Sequence, residues 1–278
     1  MAESWWQQLR TSLRASAMGR VAGFPTSSNR ASSFHLSWQL PSVEDSAGSA
    51  APITAAPITA AAITAVAVTL EILEPPSVER LYFWALQANF ADENGRHGGG
   101  AHLGLQWHPG HPGSTAVNWG GYDHRGMVLS GSESALPSKM ANPHTRDFVW
   151  QPRVPYRLRI ERIALGGQTA WRGTVTDLSS SVSTVIRDLH PAGDRISGVT
   201  MWSEVFARCD DPSVAIRWSD AEALLNTGSQ VLPSGFRVNY QSHQDGGCAN
   251  SDSSCDEVGI VQRTTVQRDT LQGQVITL

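Results

Sequence analysis

The feature that most constrains the fold of this chain is the strict alternation of apolar and polar residues in short segments. In residues 156–161, apolar side chains alternate with Arg157, Arg159 and Glu161, and residues 198–208 alternate in the same way. Successive side chains of a β-strand point to opposite faces of a sheet. Each segment therefore predicts a strand with one face against a core and one polar face.

Such segments recur along most of the chain, with Gly- and Pro-rich turns between them and almost no helical periodicity. This pattern predicts an all-β protein, an antiparallel β-sandwich or jelly roll. Ten tryptophans and a hydrophobic content of 40% are sufficient for its core. Strands are predicted at residues 66–73, 81–90, 101–108, 146–150, 156–161, 171–176, 184–189, 198–208, 213–218, 236–241 and 258–267, and a short helical turn at residues 220–225.

The first quarter of the sequence differs from the rest. Residues 51–65 repeat Ala-Pro-Ile-Thr-Ala with slight decay, and Pro52 and Pro57 remove backbone donors. We interpret the repeat as a spacer and predict a poorly ordered arm at residues 1–65, followed by a β-sandwich domain at residues 66–278. Within the arm, residues 34–40 alternate like a strand.

Charge and hydropathy exclude some classes of partner. Charged residues make up 17% of the chain and the net charge is −4, so nothing favours nucleic acid or an anionic membrane surface. No run of about 18 strongly apolar residues predicts a membrane span. The first ten residues lack the apolar core of a signal peptide.

The three cysteines leave the compartment open. If the chain is exported, Cys209 is expected to pair with Cys248 or Cys255, because both flank the same Asp-rich end of the predicted sandwich. The alternative is a bridge between Cys248 and Cys255. Disulfides are rare in the cytosol, so the cysteines mildly favour an exported protein.

Several motifs resemble a known family. The segments Tyr82–Phe90, Gly99–Gln106, Asn118–Tyr122, Trp202–Pro212 and Asn239–Asn250 are similar to those of a functionally uncharacterised group of bacterial β-sandwich proteins, broadly of the concanavalin-like lectin and glucanase type. The resemblance spans roughly residues 66–265 and implies the fold but no activity. The Glu-x-Asp-x-Glu triplet of carbohydrate-active members is absent from the sequence.

The polar faces of the predicted strands carry the candidate ligand-binding residues. Planar amides, guanidinium groups and an indole suit sugar recognition, because hydroxyls need polar partners and the C–H face of a sugar needs an aromatic platform. The alternative is a solvent-exposed face whose charged residues form ion pairs between neighbouring strands. The candidate ligand-binding residues are Gln87, Asn89, His102, Gln106, His108, Arg157, Trp202, Glu204 and Arg208.

Residues of this face could also form a catalytic site. A lyase acting on an acidic polysaccharide would use Arg and Gln against the substrate carboxylate and His or Tyr for proton transfer, and Gln106, His108, Arg157 and Tyr240 are the candidates. A glycosidase needs two facing carboxyl groups, and Glu161 with Glu204 is the available pair.

The polar loop at residues 244–256 is the candidate metal site. Calcium binds six to eight oxygen ligands in such loops, although the spacing here is not that of an EF-hand. A plain loop of Asx-turns is the alternative. No other cofactor is predicted. The candidate ligands are Asp245, Asn250, Asp252 and Asp256.

The sequence thus leaves three classes of function open. A non-catalytic carbohydrate-binding protein, with a polysaccharide or oligosaccharide as partner, is the leading hypothesis. A structural or protein-interaction sandwich comes second, since this fold hosts many unrelated functions. An enzyme acting on polysaccharide, a lyase or a glycoside hydrolase, comes third.

Overall fold

Regular structure in this chain is almost entirely antiparallel β-strand. The computed structural model describes residues 32–40, 61–242 and 245–278. Helix within these ranges is limited to the 3-10 turn Pro112–Ser114, and none of it has the length or apolar character to span a bilayer. The strands are β1 (Ser32–Gln39), β2 (Ile63–Glu74), β3 (Tyr82–Ala91), β4 (His97–Trp107), β5 (Thr115–Tyr122), β6 (Thr145–Asp147), β7 (Pro155–Leu165), β8 (Gln168–Asp177), β9 (Val182–Leu189), β10 (Arg195–Val205), β11 (Ala215–Leu225), β12 (Gln230–Val231), β13 (Gly235–Tyr240), β14 (Ser251–Cys255), β15 (Ile260–Thr264) and β16 (Val275–Ile276).

The strands form two layers. The first sheet has the order β6-β5-β4-β3-β10-β1-β13-β16, and the second has the order β14-β15-β11-β2-β7-β8-β9 with β12 beside β11. The layers are joined by pairing between β10 and β2 at Ile196 and Ile63. The predicted all-β sandwich is confirmed by this arrangement.

The core between the layers consists of aromatic and branched aliphatic side chains. Phe90 of the first sheet packs on Trp171 of the second, with ring centroids 4.8 Å apart. Trp119 of β5 lies over Gly173 of β8, where a Cβ would come within 2.7 Å of the indole, so only glycine fits. Trp84, Trp119, Trp171 and Trp218 are all fully buried. Large rings contributed by both sheets thus hold the layers together.

The predicted domain boundary at residue 66 needs one correction. Strand β1 lies between β10 and β13 and pairs with both over most of its length. Phe34 and Leu36 of this strand are part of the core. The sandwich therefore includes a segment on the N-terminal side of the Ala-Pro-Ile-Thr repeat. The remainder of the predicted arm, residues 1–31 and 41–60, lies outside the described residues.

Two local predictions are wrong. The helical turn expected at residues 220–225 is the second half of β11, which bulges between Ser219 and Glu222 with Asp220 at a φ of +51°. The bulge disrupts the period-2 pattern of the segment. Residues 251–255, expected in a polar loop, form β14 against β15. There, polar side chains are buried because each finds a partner; Asp252, for example, accepts a hydrogen bond from the Tyr240 hydroxyl at 3.1 Å.

The cysteines form one of the two bridges expected for Cys209. Cys209, just after β10, is bonded to Cys248, whereas Cys255 is free and exposed. Asn250 donates to the Cys209 carbonyl oxygen at 2.7 Å, so the same connection is supported by a hydrogen bond. A disulfide is consistent with an oxidising, extracellular compartment.

The disulfide should account for a measurable part of the stability. Cys248→Ala is expected to lower the free energy of unfolding by about 4 kcal/mol, because the bridge constrains an unfolded-state loop with a sequence separation of 39 residues. Denaturant unfolding at neutral pH measures the change. Cys255→Ser is the matched control and should leave the midpoint unchanged. Equal midpoints for wild type and Cys248→Ala would contradict the assignment.

Candidate functional site

The outer face of the first sheet is lined by polar and aromatic residues that the strand registers place in rows. Residues directly opposite each other in paired strands point to the same face. Glu204 of β10 is opposite Phe83 of β3, and Phe83 is opposite Gln106 of β4. Glu204 and Gln106 therefore lie on one face, two strands apart and separated only by the Phe83 ring. We call the outer surface of β10, β3, β4 and β5 the polar face.

The next row along the strands has two small residues at its centre. It runs from Trp202 through Ala85 and Gly104 to Asn118. A Cβ at Gly104 would lie 2.0 Å from the Trp84 carbonyl oxygen, so the close strand approach here requires glycine. The small Ala85 side chain is fully buried in one cluster with Phe83 and Trp202, beside the row that carries Glu204 and Gln106.

Trp202 is the centre of an aromatic cluster on the polar face. Its ring centroid lies 4.7 Å from that of Phe83 and 5.6 Å from that of His102, both edge-to-face. The indole nitrogen donates to Gln87 Oε1 at 3.2 Å. Trp202 is only 5% exposed. The indole therefore does not form the exposed aromatic platform expected from the sequence.

The carboxyl group of Glu204 is the most perturbed acid on this face. The residue is 6% exposed, and its carboxyl group makes no hydrogen bond to another residue in the described part of the chain. Burial raises the pKa of Glu204 from 4.5 to about 8. A carboxyl group removed from water without a cation beside it stays protonated, because desolvation penalises its charged form. Glu204 is consequently an uncharged acid at neutral pH.

Gln106 is held by its backbone while part of its side chain remains unsatisfied. The Trp150 indole donates to the Gln106 carbonyl oxygen at 3.0 Å, which fixes β4 at this point. The side-chain Oε1 is buried and has no hydrogen-bond partner among the described residues, and the same holds for Oδ1 of Asn118 and Nδ1 of His102. Unpaired buried polar atoms are rare in proteins and indicate a place for water or a ligand.

The histidines of the polar face, like Glu204, are uncharged at neutral pH. Burial, and secondarily the neighbouring His144, lowers the pKa of His102 to about 3. Burial, with the positive charges of Arg187 and Arg146, lowers the pKa of His144 to about 4. His144 packs over Gly120 of β5, where a Cβ would lie 2.2 Å from its ring. Neither imidazole is placed to carry a proton at neutral pH.

The structure brings together six of the nine predicted ligand-binding residues. These are Gln87, Asn89, His102, Gln106, Trp202 and Glu204, all on the outer face of β3, β4 and β10.

The other three lie elsewhere. Arg157 is on β7 of the second sheet, where it binds Glu222 and donates to Thr69, because the alternation of β7 directs it to the opposite outer surface. His108 lies in the turn after β4, with its ring centroid 5.2 Å from that of His111. Arg208 lies beyond the end of β10, and its backbone nitrogen donates to Asp211.

The residues considered for lyase and glycosidase chemistry are also separated. The Tyr240 side chain points into the core and stacks on Phe34, and burial raises the pKa of Tyr240 to about 12. Glu161 is on β7, paired with Arg159 at 3.0 Å, so it does not face Glu204 across one groove. The single sequence cannot reveal this separation, because it depends on which strands pair.

The four predicted calcium ligands are directed to different partners. Asp245 accepts from the Ser242 hydroxyl, Asn250 donates to Cys209, Asp252 binds Tyr240, and Asp256 pairs with Arg217. The described residues contain no cluster of three or more His, Cys, Asp or Glu side chains that could hold a metal ion. The predicted calcium site is therefore not formed by these residues.

Three residues of this site, Phe83, Asn118 and His35, are not among the candidates that the sequence predicts. In β3, Phe83 is on the same face as Gln87, and in β5, Asn118 is on the same face as Gly120. The two-residue alternation of the strands could therefore have identified both. His35 lies next to Trp202 in the pairing of β1 with β10, but its segment was assigned to the arm.

Comparisons with known proteins provide a likeness of fold only. No family model matches, and no curated protein matches. A solved structure of scytalido-glutamic peptidase with a peptide-based transition-state analogue gives a TM-score of 0.41 at 8% identity, covering 84% of this chain and 98% of that one. A structure of SCP-B, a member of the eqolisin family of peptidases, in complex with the tripeptide Ala-Ile-His gives 0.40 at 9% identity with the same coverage.

These similarities transfer no residue role and no activity to this chain. The resemblance to the concanavalin-like lectin and glucanase group is not supported by any family model or curated protein.

The burial of the Glu204 carboxyl group leads to a prediction about how the stability of the fold depends on pH. The pKa of Glu204 is higher in the folded chain than in the unfolded chain, so the folded state binds more protons between about pH 4.5 and 8. Its contribution is fully present below pH 4.5 and is lost as pH rises towards 8. Glu204→Gln should remove this loss. The free energy of unfolding of the variant, taken relative to that of the wild type, should therefore be higher at pH 8.5 than at pH 4 by a few kcal/mol. Urea unfolding at both pH values measures this, and parallel pH profiles would contradict it.

Proposed function

We propose that this chain is a hydrolase that cleaves an amide bond of an extended polypeptide on the polar face. Glu204 is the proton-transfer group, and Gln106 positions water and stabilises the tetrahedral intermediate. The observation that supports the proposal is a buried, uncharged carboxyl group on the same row as a carboxamide with an unpaired oxygen. A perturbed acid beside unsatisfied polar groups is typical of a catalytic site.

The spacing of the two groups fits a reacting carbonyl. Glu204 and Gln106 are separated by two strand spacings, so their Cα atoms lie roughly 10 Å apart. Both side chains are long, and their ends can approach a substrate carbonyl and a water molecule placed above Phe83.

A single carboxyl group can serve both steps of hydrolysis, because it carries a donor and an acceptor oxygen. In the first step the Glu204 hydroxyl gives its proton to the substrate carbonyl oxygen, while the other Glu204 oxygen accepts a proton from the attacking water. A C–O bond forms, and the carboxyl group is again protonated. In the second step the proton goes to the amide nitrogen and another returns from the gem-diol, so the C–N bond breaks to give an acid and an amine.

Gln106 complements this chemistry through both ends of its carboxamide. Oε1 can accept a hydrogen bond from the attacking water, which orients the water lone pair towards the carbonyl carbon. Nε2 can donate to the oxygen on which charge develops in the tetrahedral intermediate. Removing one such donor in other enzymes reduces the rate by about 10²–10³-fold.

Sugar binding, the leading hypothesis from sequence, has weaker support. The Trp202 indole is buried and engaged by Gln87, and Arg157 lies on the opposite surface. A glycosidase would need a second carboxyl group facing Glu204, and Glu161 does not supply it. The side-chain nitrogen of Asn89 donates to no other described residue, so it can donate to a carbonyl oxygen of a peptide backbone. Polysaccharide binding stays in the test below as the competing outcome.

The test is cleavage of a mixed peptide library, followed by mass spectrometry, at pH values from 3 to 9. We expect new termini with wild type and a loss of rate as pH rises through about 8, because ionised Glu204 lacks the proton for the first step. Glu204→Gln and Gln106→Ala should each reduce kcat by at least about 100-fold.

Matched controls are available on the exposed surface. Glu257→Gln and Gln151→Ala change the same residue types at exposed positions and should keep full activity. Full cleavage by Glu204→Gln would refute the assignment of the acid. Absence of peptide cleavage, together with binding on a glycan array that Trp202→Ala abolishes, would favour the carbohydrate-binding hypothesis.

A further inference from the structure

A recess lies on the outer face of the first sheet beside the proposed catalytic residues. It has a volume of about 350 Å³ and is formed by β1, β3, β10, β13 and the turn before β16. Gln87, which binds Trp202 of the aromatic cluster, is one of its walls. We call it the Arg237 groove after the cation at its far wall. A recess of this volume can hold a side chain or a small ligand.

The side-chain amide oxygens of this groove are already engaged. Oε1 of Gln87 accepts from Trp202, and Oδ1 of Asn89 accepts from Gln87 at 3.2 Å. On the opposite wall, Oδ1 of Asn239 accepts from Gln272, and Oε1 of Gln272 accepts from the Tyr240 backbone nitrogen at 2.7 Å. The side-chain amide oxygens are therefore turned into the protein's own network.

The donors, in contrast, remain available. The Nδ2 groups of Asn89 and Asn239 donate to no other described residue. The Arg237 guanidinium is exposed, donates to the Gly273 carbonyl oxygen at 3.1 Å, and forms no ion pair with any residue that the structure describes. Among the described residues, no Asp or Glu lines the groove. The groove thus presents amide donors and a positive charge with no described carboxylate to balance it, and the hydroxyl groups of Ser37 and Thr200 also line it.

We infer that the Arg237 groove binds a carboxylate carried by the polypeptide substrate. A guanidinium group pairs bidentately with a carboxylate, and amide N–H donors on two walls can satisfy the remaining lone pairs. An acidic side chain and a free chain terminus share this chemistry. The assignment to the substrate rests on the proposed function, whereas binding of a carboxylate does not.

The position of the groove fits one extended peptide spanning both sites. Thr200, which lines the groove, is four residues from Glu204 on β10, or roughly 13 Å along the strand. Arg237 lies two strands further across the sheet, through Ser37 of β1. An extended chain of about five residues covers this distance. The groove would therefore select an acidic group several residues from the bond that is cleaved.

The test measures binding in a Glu204→Gln background, so that the result is independent of turnover. Three pools of acetylated, fluorescent decapeptides are compared by anisotropy: one with a single Glu and an amidated terminus, one with Gln in its place, and one with Gln and a free terminal carboxylate. We expect the Glu pool to bind at least about tenfold more tightly than the Gln pool. Tighter binding of the third pool instead would identify the chain terminus as the source of the carboxylate.

The matched variants are Arg237→Gln and Arg162→Gln, two exposed arginines that each donate to one backbone carbonyl oxygen. Arg237→Gln should abolish the preference for the carboxylate, and Arg162→Gln should preserve it. Rising salt should reduce the preference, because an exposed guanidinium is screened. Equal affinity for all three pools, failure of every pool to bind, or a preference that survives Arg237→Gln would overturn the inference. Each of these outcomes is separate from loss of cleavage in the wild type.

Discussion

The burial of both faces of β3, β4 and β10 is the constraint on which this site depends. One face of these strands carries Trp84, Leu86 and Met201 into the core, as expected for a sandwich layer. The other face is also removed from water, with Phe83, His102 and Trp202 each about 5% exposed. An antiparallel sheet commonly leaves its outer face solvated. Here that face is desolvated instead, and this is what perturbs Glu204.

Desolvation acts in opposite directions on the acid and the bases of the polar face. It raises the pKa of Glu204 to about 8 and lowers the pKa of His102 to about 3. Both changes have the same physical cause, because a low-dielectric environment disfavours whichever form is charged. Ion pairs elsewhere in the chain, such as Arg172 with Asp188, neutralise charge by contact. On the polar face, burial itself keeps these groups uncharged.

The sequence determines the faces of the strands well but not their neighbours. Alternation assigned Gln87 and Asn89 to one face of β3 and Tyr82, Trp84 and Leu86 to the other, as observed. It also put Arg157 on an outward face, which is correct for β7. What alternation cannot give is the sheet to which a strand belongs, and Arg157 lies on the opposite surface of the sandwich from Gln106. Two residues that both face outward in the sequence pattern can therefore lie on opposite surfaces of the sandwich.

Strand β1 shows the same limit at the level of domains. Its alternating residues were visible, but the Ala-Pro-Ile-Thr repeat that follows made the segment look external to the fold. In the structure it lies between β10 and β13, pairs over long distances in sequence and contributes His35 to the surroundings of Trp202. Pairing between strands about 165 residues apart leaves no local signal, because its energetic reward comes only after a long loop is closed.

The uncharged state of the polar face has a consequence for catalysis. Between the low pKa of His102 and the high pKa of Glu204, neither of these groups carries a charge, so in the proposed hydrolysis a substrate carbonyl would meet dipoles and a proton donor instead of fixed ions. A neutral carboxyl group can donate and accept through its two oxygens without separating charge in a low-dielectric site, where separated charge is most costly. A glutamate paired with an arginine would lose its proton and with it the donor. In the proposed mechanism, the absence of a cation beside Glu204 among the described residues is therefore the condition that allows one carboxyl group to act as both acid and base.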